Sequence, residues 1–196
     1  MKFSVKLKAF TLIELMISVS IFVIMTTLLL ANYPNSLVRT NLFNLSNNTV
    51  LLLREAQVKG SSISTQNDTI TGYGIYFKNP DKIIYYSDAG SVNAKGDRIY
   101  STSSFPPDIT ISTVNISAGY SISRLCTTDP CDNLTELTIN FTRPVMNAEI
   151  SPGNVVSSSD NACIEFKTSK NASMIRSIQV SKFGRITSSG KACPQA

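Results

Sequence analysis

The sequence predicts an α+β fold: a long N-terminal hydrophobic helix packed on an antiparallel β-sheet head. Three observations predict it. A long apolar run near the N-terminus carries a single charge, Glu14. An amphipathic stripe with helical spacing follows it. Beyond residue 60 the chain turns to short β-branched and aromatic runs cut by Gly, Pro, Asn and Asp. At 196 residues there is room for one modest domain plus an anchor.

Residues 1–9, MKFSVKLKA, are short and basic. The run at 10–31, FTLIELMISVSIFVIMTTLLLA, follows directly. At about 1.5 Å per residue it makes a helix on the order of 30 Å long, enough to cross a hydrocarbon core. Lys2, Lys6 and Lys8 precede it and no matching cluster follows, which places the N-terminus in the cytoplasm and the remainder outside. The run is longer than the apolar core of an ordinary secretory signal, and no clear A-x-A site comes after it. The order basic, small, apolar instead puts a cut between Ala9 and Phe10, which leaves the helix on the product. A carboxylate near the start of a membrane helix costs a few kcal/mol, so Glu14 requires a partner. The headgroup region and the helix N-terminus can serve, and so can the amine of a neighbouring copy.

Pro34 removes a backbone donor, so a kink or short break is expected there. From 35 to 59, Val38, Leu42, Leu45, Thr49, Leu52 and Ala56 form the apolar face of a continuing helix, with Gly60 placed to end it. The runs GYGIYF at 72–77 and KIIYYSD at 82–88 flank a turn-forming Lys-Asn-Pro-Asp and read as a hairpin. Further strands are expected at 108–117, 136–142, 162–168 and 177–187. Alternation at Ile109 and Ile111, and at Leu137, Ile139 and Phe141, indicates half-buried antiparallel sheet. The expected organisation is a leader at 1–9, a membrane or filament-core helix at 10–33, its amphipathic continuation at 34–60 and a β-rich head at 61–196.

Charge and composition narrow the function. The net charge of +5 includes the three leader lysines, so removing 1–9 leaves about +2 and little general attraction to a phosphate backbone. The chain has no His, the usual residue of acid–base catalysis and of Zn sites. It shows no nucleophile elbow, phosphate loop or paired-acid motif, so an enzyme is not expected. Cys126, Cys131, Cys163 and Cys193 all lie beyond the apolar run and read as disulfides of an exported domain. Three pairings are open. In one, Cys126 and Cys131 close a local loop while Cys163 ties a strand to the tail at Cys193. Asp129 and Asp132 fall short of the six or more oxygens of a Ca²⁺ site. No metal and no cofactor is expected.

The stretch KAFTLIELMISVSIF at 8–22 resembles the N-terminal signature of type IV prepilins and of the pseudopilins of type II secretion. The resemblance implies that Ala9 precedes the cut, where Gly is usual, and that Phe10 becomes a methylated N-terminus. It implies that Glu14 pairs with a neighbour's N-terminal amine during assembly. Implied partners are a prepilin peptidase, other pilin or pseudopilin subunits, an assembly platform and the membrane. The implied location is a single pass of the cytoplasmic (inner) membrane with the head outside, then an extracellular or periplasmic filament. The head, with REAQVKG at 54–60, GYGIYF and IQVSKFGRI at 178–186, resembles GspH/FimT-like minor pseudopilins. This implies a minor subunit of a type IV pilus or a type II secretion pseudopilus. In FimT-like proteins of natural transformation a C-terminal Gly-Arg-x-Arg motif contacts DNA. Here Gly184-Arg185-Ile186-Thr187 keeps the first Arg and has Thr at the second. Lys182, Arg185 and Lys191 form a local basic cluster, so a DNA-binding minor pilin of an uptake pilus is the alternative function. A single-span protein that never polymerises is a further one.

Overall fold

A computed structural model describes residues 10–62, 70–90, 96–103, 106–127, 131–142, 147–153, 155, 158–171 and 173–194, with only the backbone at 31–35. The expected leader, with Ala9, lies outside the described residues. The chain divides into two compact units, one ending at Arg39 and one beginning at Thr40.

The helix α1 spans Leu12–Ser62. It remains helical through Pro34, so the break expected there is absent. A proline removes one donor from the ladder, and long flanking turns can carry the helix across that gap. Within the first unit, Leu12–Leu30 has a mean hydropathy of 2.3 and none of it is buried. Nineteen residues at about 1.5 Å each approach the thickness of a hydrocarbon core.

In the second unit α1 buries Leu42, Ser46, Thr49, Leu53, Ala56 and Gly60, alternately four and three residues apart. The stripe is therefore turned slightly from the expected one. Leu53 is wholly buried, whereas Leu45 and Leu52 sit half-buried at its flank. Ser46 is tolerated inside because its hydroxyl shares a 2.9 Å hydrogen bond with that of Ser188. Thr49 donates back to the Leu45 carbonyl at 2.9 Å. Gly60 does not end the helix. A Cβ there would stand 2.9 Å from the Phe141 carbonyl carbon, closer than side chains tolerate. Gly is needed at this position for close approach to the sheet.

Nine strands follow: β1 (Ile70–Lys78), β2 (Lys82–Ala89), β3 (Ile109–Asn115), β4 (Tyr120–Cys126), β5 (Glu136–Thr142), β6 (Ala148–Pro152), β7 (Asn161–Thr168), β8 (Ile175–Ser181) and β9 (Ile186–Ser189). They form a five-stranded sheet ordered β3-β2-β1-β5-β6 and a four-stranded sheet ordered β4-β7-β8-β9, antiparallel throughout. Ile75, Phe77, Leu137, Ile139 and Phe141 face one common core with Ile122, Leu125, Ile164, Phe166 and Ile178 of the second sheet. Leu42, Leu53 and Ala56 of α1 join the same cluster.

Two strands lacked a clear sequence signal. In β4 a register shift between Ile122 and Arg124 breaks the alternation, so Ile122 and Leu125 are both buried although three apart. The other, β6, is only five residues long. The expected strand at 177–187 is two strands, joined by a turn in which Gly184 has a φ of +78°. Ile109 and Ile111 are exposed, because β3 is an edge strand whose register with β2 shifts opposite Tyr85 and Tyr86.

Alanine has a higher helix propensity than glycine by about 1 kcal/mol. Gly60→Ala is nevertheless expected to lower the stability of the purified chain by about 1–3 kcal/mol, because overpacking against Phe141 outweighs propensity. Urea unfolding of both proteins measures the difference.

Candidate functional site

The N-terminal segment is organised around Thr11 and Glu14. Thr11 is the N-cap of α1, and its backbone carbonyl accepts the N–H of Glu14 at 3.1 Å and of Leu15 at 3.2 Å. Its hydroxyl oxygen accepts the Glu14 N–H at 3.3 Å, and the hydroxyl donates to Glu14 Oε2 at 3.3 Å. This is a capping box with one variation, since the glutamate returns to the capping hydroxyl. The signal T-x-x-E was present in the sequence, and the reading of Glu14 as a lone carboxylate passed over Thr11. The box places the carboxylate one turn into the helix, where it also complements the positive end of the helix dipole. Phe10, just before it, is 78% exposed.

The rest of the apolar span satisfies its own polar groups. Ser18 donates to the Glu14 carbonyl at 2.7 Å and Ser20 to the Met16 carbonyl at 2.8 Å. Thr26 donates to the Phe22 carbonyl at 2.9 Å and Thr27 to the Val23 carbonyl at 2.7 Å. These are the only hydroxyl residues between Leu12 and Leu30. An apolar environment therefore leaves them no unmet hydrogen bond. Glu14 differs, since a hydroxyl at 3.3 Å does not neutralise a carboxylate.

At the other end of the chain, Cys126 is bonded to Cys131 and Cys163 to Cys193. Cys126 and Cys163 are directly opposite on β4 and β7, which sets the two disulfides side by side. The buried Glu165 binds both sides of this junction. Its Oε1 accepts the Ser123 hydroxyl at 2.7 Å, and its Oε2 accepts the Cys193 N–H at 2.9 Å. Asp132 closes the Cys126–Cys131 loop by accepting the Thr127 N–H and hydroxyl, each at 2.8 Å. The sulfurs near Asp132 are bonded to one another and do not offer a metal thiolate ligands. Asp129 lies outside the described residues.

The basic residues of the tail are partly neutralised. Lys182 forms an ion pair with Asp160, and its ammonium also lies 5.4 Å from the Phe183 ring centroid. Arg176 stacks its guanidinium 4.9 Å from the Phe43 ring centroid. Arg185 is exposed on the β8–β9 turn beside a groove lined by Thr127, Asn161, Gln179 and Thr187. Lys191 is exposed beyond β9, its N–H donating to Ser189 Oγ at 3.3 Å.

Replacing Cys163 and Cys193 together by Ser is expected to lower stability by about 2–4 kcal/mol, since the cross-link closes a loop of about thirty residues. Limited proteolysis should then cut the released tail before the strands. Urea unfolding and mass mapping of the first fragments test both parts.

Residues 6–30 match the family model for the prokaryotic N-terminal methylation motif. No curated protein and no solved structure matches the chain. The matched stretch holds Phe10, Thr11, Glu14 and the whole span Leu12–Leu30. The chain thus carries a prepilin-type, type IV pilin-like processing signature on an apolar N-terminal helix, followed by an α+β head.

Proposed function

We propose that the chain is a minor pilin or pseudopilin, a subunit of a type IV pilus or of a type II secretion pseudopilus. The observation that carries this reading is the coincidence of the methylation motif with an exposed apolar span, Leu12–Leu30, whose only charge is Glu14. A prepilin peptidase cuts between Ala9 and Phe10. The cut removes Lys2, Lys6 and Lys8 and creates an amine on Phe10, which is then methylated. The span Leu12–Leu30 holds the subunit in the cytoplasmic membrane with the head outside. Two disulfides in the head fit an oxidising compartment beyond that membrane.

During assembly the platform moves the helix from lipid into a bundle of similar helices. Apolar contacts with lipid are exchanged for apolar contacts with subunits. Glu14 accepts the N-terminal amine of a neighbour, and the Thr11 hydroxyl holds the carboxylate one turn from the helix start until that partner arrives. The role is architectural: the chain extends or initiates a filament, and the head supplies its outer surface.

Mass spectrometry of the protein from its native membrane is expected to find N-methylated Phe10 as the first residue. An intact Met1 would sink the reading. Glu14→Leu is expected to be processed normally yet to enter filaments at least about tenfold less, since the intersubunit charge pairing is lost along with the Thr11 contact. Immunoblots of sheared filaments against membrane fractions give the ratio. Wild-type incorporation would show that Glu14 serves only the helix N-terminus.

A further inference from the structure

The two disulfides meet on the outer face of the four-stranded sheet. Leu125 on β4 and Ile164 on β7 lie opposite one another and point into the main core. The adjoining pair, Cys126 and Cys163, therefore points the other way, with both side chains on one face. The row continues to Gln179 on β8 and Thr187 on β9, which are exposed. Cys163 and Glu165 share that outer face, yet both are buried. The returning tail covers them: Cys193 is bonded to Cys163, and its N–H donates to Glu165 Oε2 at 2.9 Å.

The four cysteines differ in access. Cys126, Cys163 and Cys193 are 2%, 6% and 1% exposed, whereas Cys131 is only half-buried. Thiol–disulfide exchange is governed by which sulfur the attacking thiolate can reach. A thiolate from solvent meets the Cys131 sulfur first, and the group it displaces there is Cys126. The displaced sulfur stays inside the cysteine cluster, packed with Cys163 and Cys193.

The strand register offers that sulfur a second partner. Residues directly opposite in an antiparallel pair have Cα atoms about 4.5–5.5 Å apart. A disulfide spans Cα separations of about 4.4–6.8 Å. Cys126 and Cys163 can therefore be joined without moving either strand. A groove of about 270 Å³ lies beside both residues, flanked by Asn161, Gln179 and Thr187, and gives the Cys126 side chain room to turn. The backbone at this junction thus accepts two pairings, the observed one and one with Cys126 bonded to Cys163.

We propose that Cys131 is a modification site for a small-molecule thiol, and that Cys126 relays the modification to Cys163 and unlatches the C-terminal tail. The thiol gives its proton to water, and its thiolate bonds to Cys131 Sγ. The Cys126–Cys131 bond breaks with its electron pair on Cys126. The Cys126 thiolate then bonds to Cys163 Sγ, and the Cys163–Cys193 bond breaks with its electron pair on Cys193, which takes a proton from water. Two disulfides and one thiol go in. A mixed disulfide at Cys131, an internal Cys126–Cys163 disulfide and one thiol at Cys193 come out. Nothing is oxidised or reduced overall, so no further reagent is required. β4 is then cross-linked to β7, and the tail regains the freedom of an untethered terminus. Release takes the Cys193 N–H from Glu165 and opens that carboxylate to water. The relay needs only the folded head, and it operates whether or not the chain enters a filament.

The test uses the full chain purified in detergent with both disulfides formed. It is incubated with reduced glutathione, then unfolded in urea with N-ethylmaleimide to trap every free thiol. Digestion combines trypsin with a protease that cuts before Asp, which separates Cys126 from Cys131 because Asp129 lies between them. Mass spectrometry is expected to find glutathione on Cys131, a Cys126–Cys163 cross-linked peptide pair and maleimide on Cys193. Cys131→Ser leaves Cys126 as a free thiol from the start, so maleimide should appear on Cys193 as well as on Cys126 without any glutathione. With Cys126 and Cys131 both replaced by Ser there is no relay, and glutathione should free Cys193 at least about tenfold more slowly, since it must reach buried sulfurs directly. Maleimide on Cys126 alone in Cys131→Ser overturns the proposal. So does an equal or higher rate of Cys193 release in the double variant. In the parent, which serves even if the variants fail to fold, glutathione on Cys163 or Cys193 ahead of Cys131 overturns it, as does no reaction at all.

Discussion

The two sheets of the head are separate hydrogen-bonded ladders, and what makes them one body is a single apolar core into which α1 inserts Leu42, Leu53 and Ala56. Leu53 and Ala56 are wholly buried there. The close approach of Gly60 to Phe141 brings the last turns of the helix down onto β5. Further along, the Gln57 amide donates to the Gly184 carbonyl at 2.9 Å, which ties the same helix to the β8–β9 turn. One element thereby contacts both sheets. A side chain at Gly60 or a cavity at Leu53 acts on all of these contacts together, as expected of close-packed interiors.

The N-terminal segment was the most legible part of the chain. A peptidase and a bilayer both act on local sequence, so the order of basic leader, small residue and apolar run carries its meaning without any fold. Strand β5 was legible for a different reason: Leu137, Ile139 and Phe141 alternate cleanly with polar residues over an unbulged strand. Strand β4 was hidden because its register shift moved the buried positions from a spacing of two to three. The helical stripe was placed slightly off, because Leu45 and Leu52 look more core-like than Ser46. The partner that makes Ser46 acceptable, Ser188, lies 142 residues away.

The same limit hid the buried contact in which the Asn140 amide donates to Asp88 Oδ2 at 2.9 Å. Only the β1–β2 and β1–β5 registers bring Asn140 beside Asp88. Glu165 was missed likewise. It is buried in β7 because the tail returns through Cys193 to meet it.

The hydroxyls of Ser18, Ser20, Thr26 and Thr27 are all turned inward onto the carbonyls of their own helix. The outer skin of Leu12–Leu30 is therefore close to plain hydrocarbon, and lipid tails and the flanks of other helices are nearly equivalent solvents for it. Such a segment has little preference between the two and no polar teeth to set its rotation or depth. Transfer between the two would change its free energy little, and Glu14 is the one charged group in the segment.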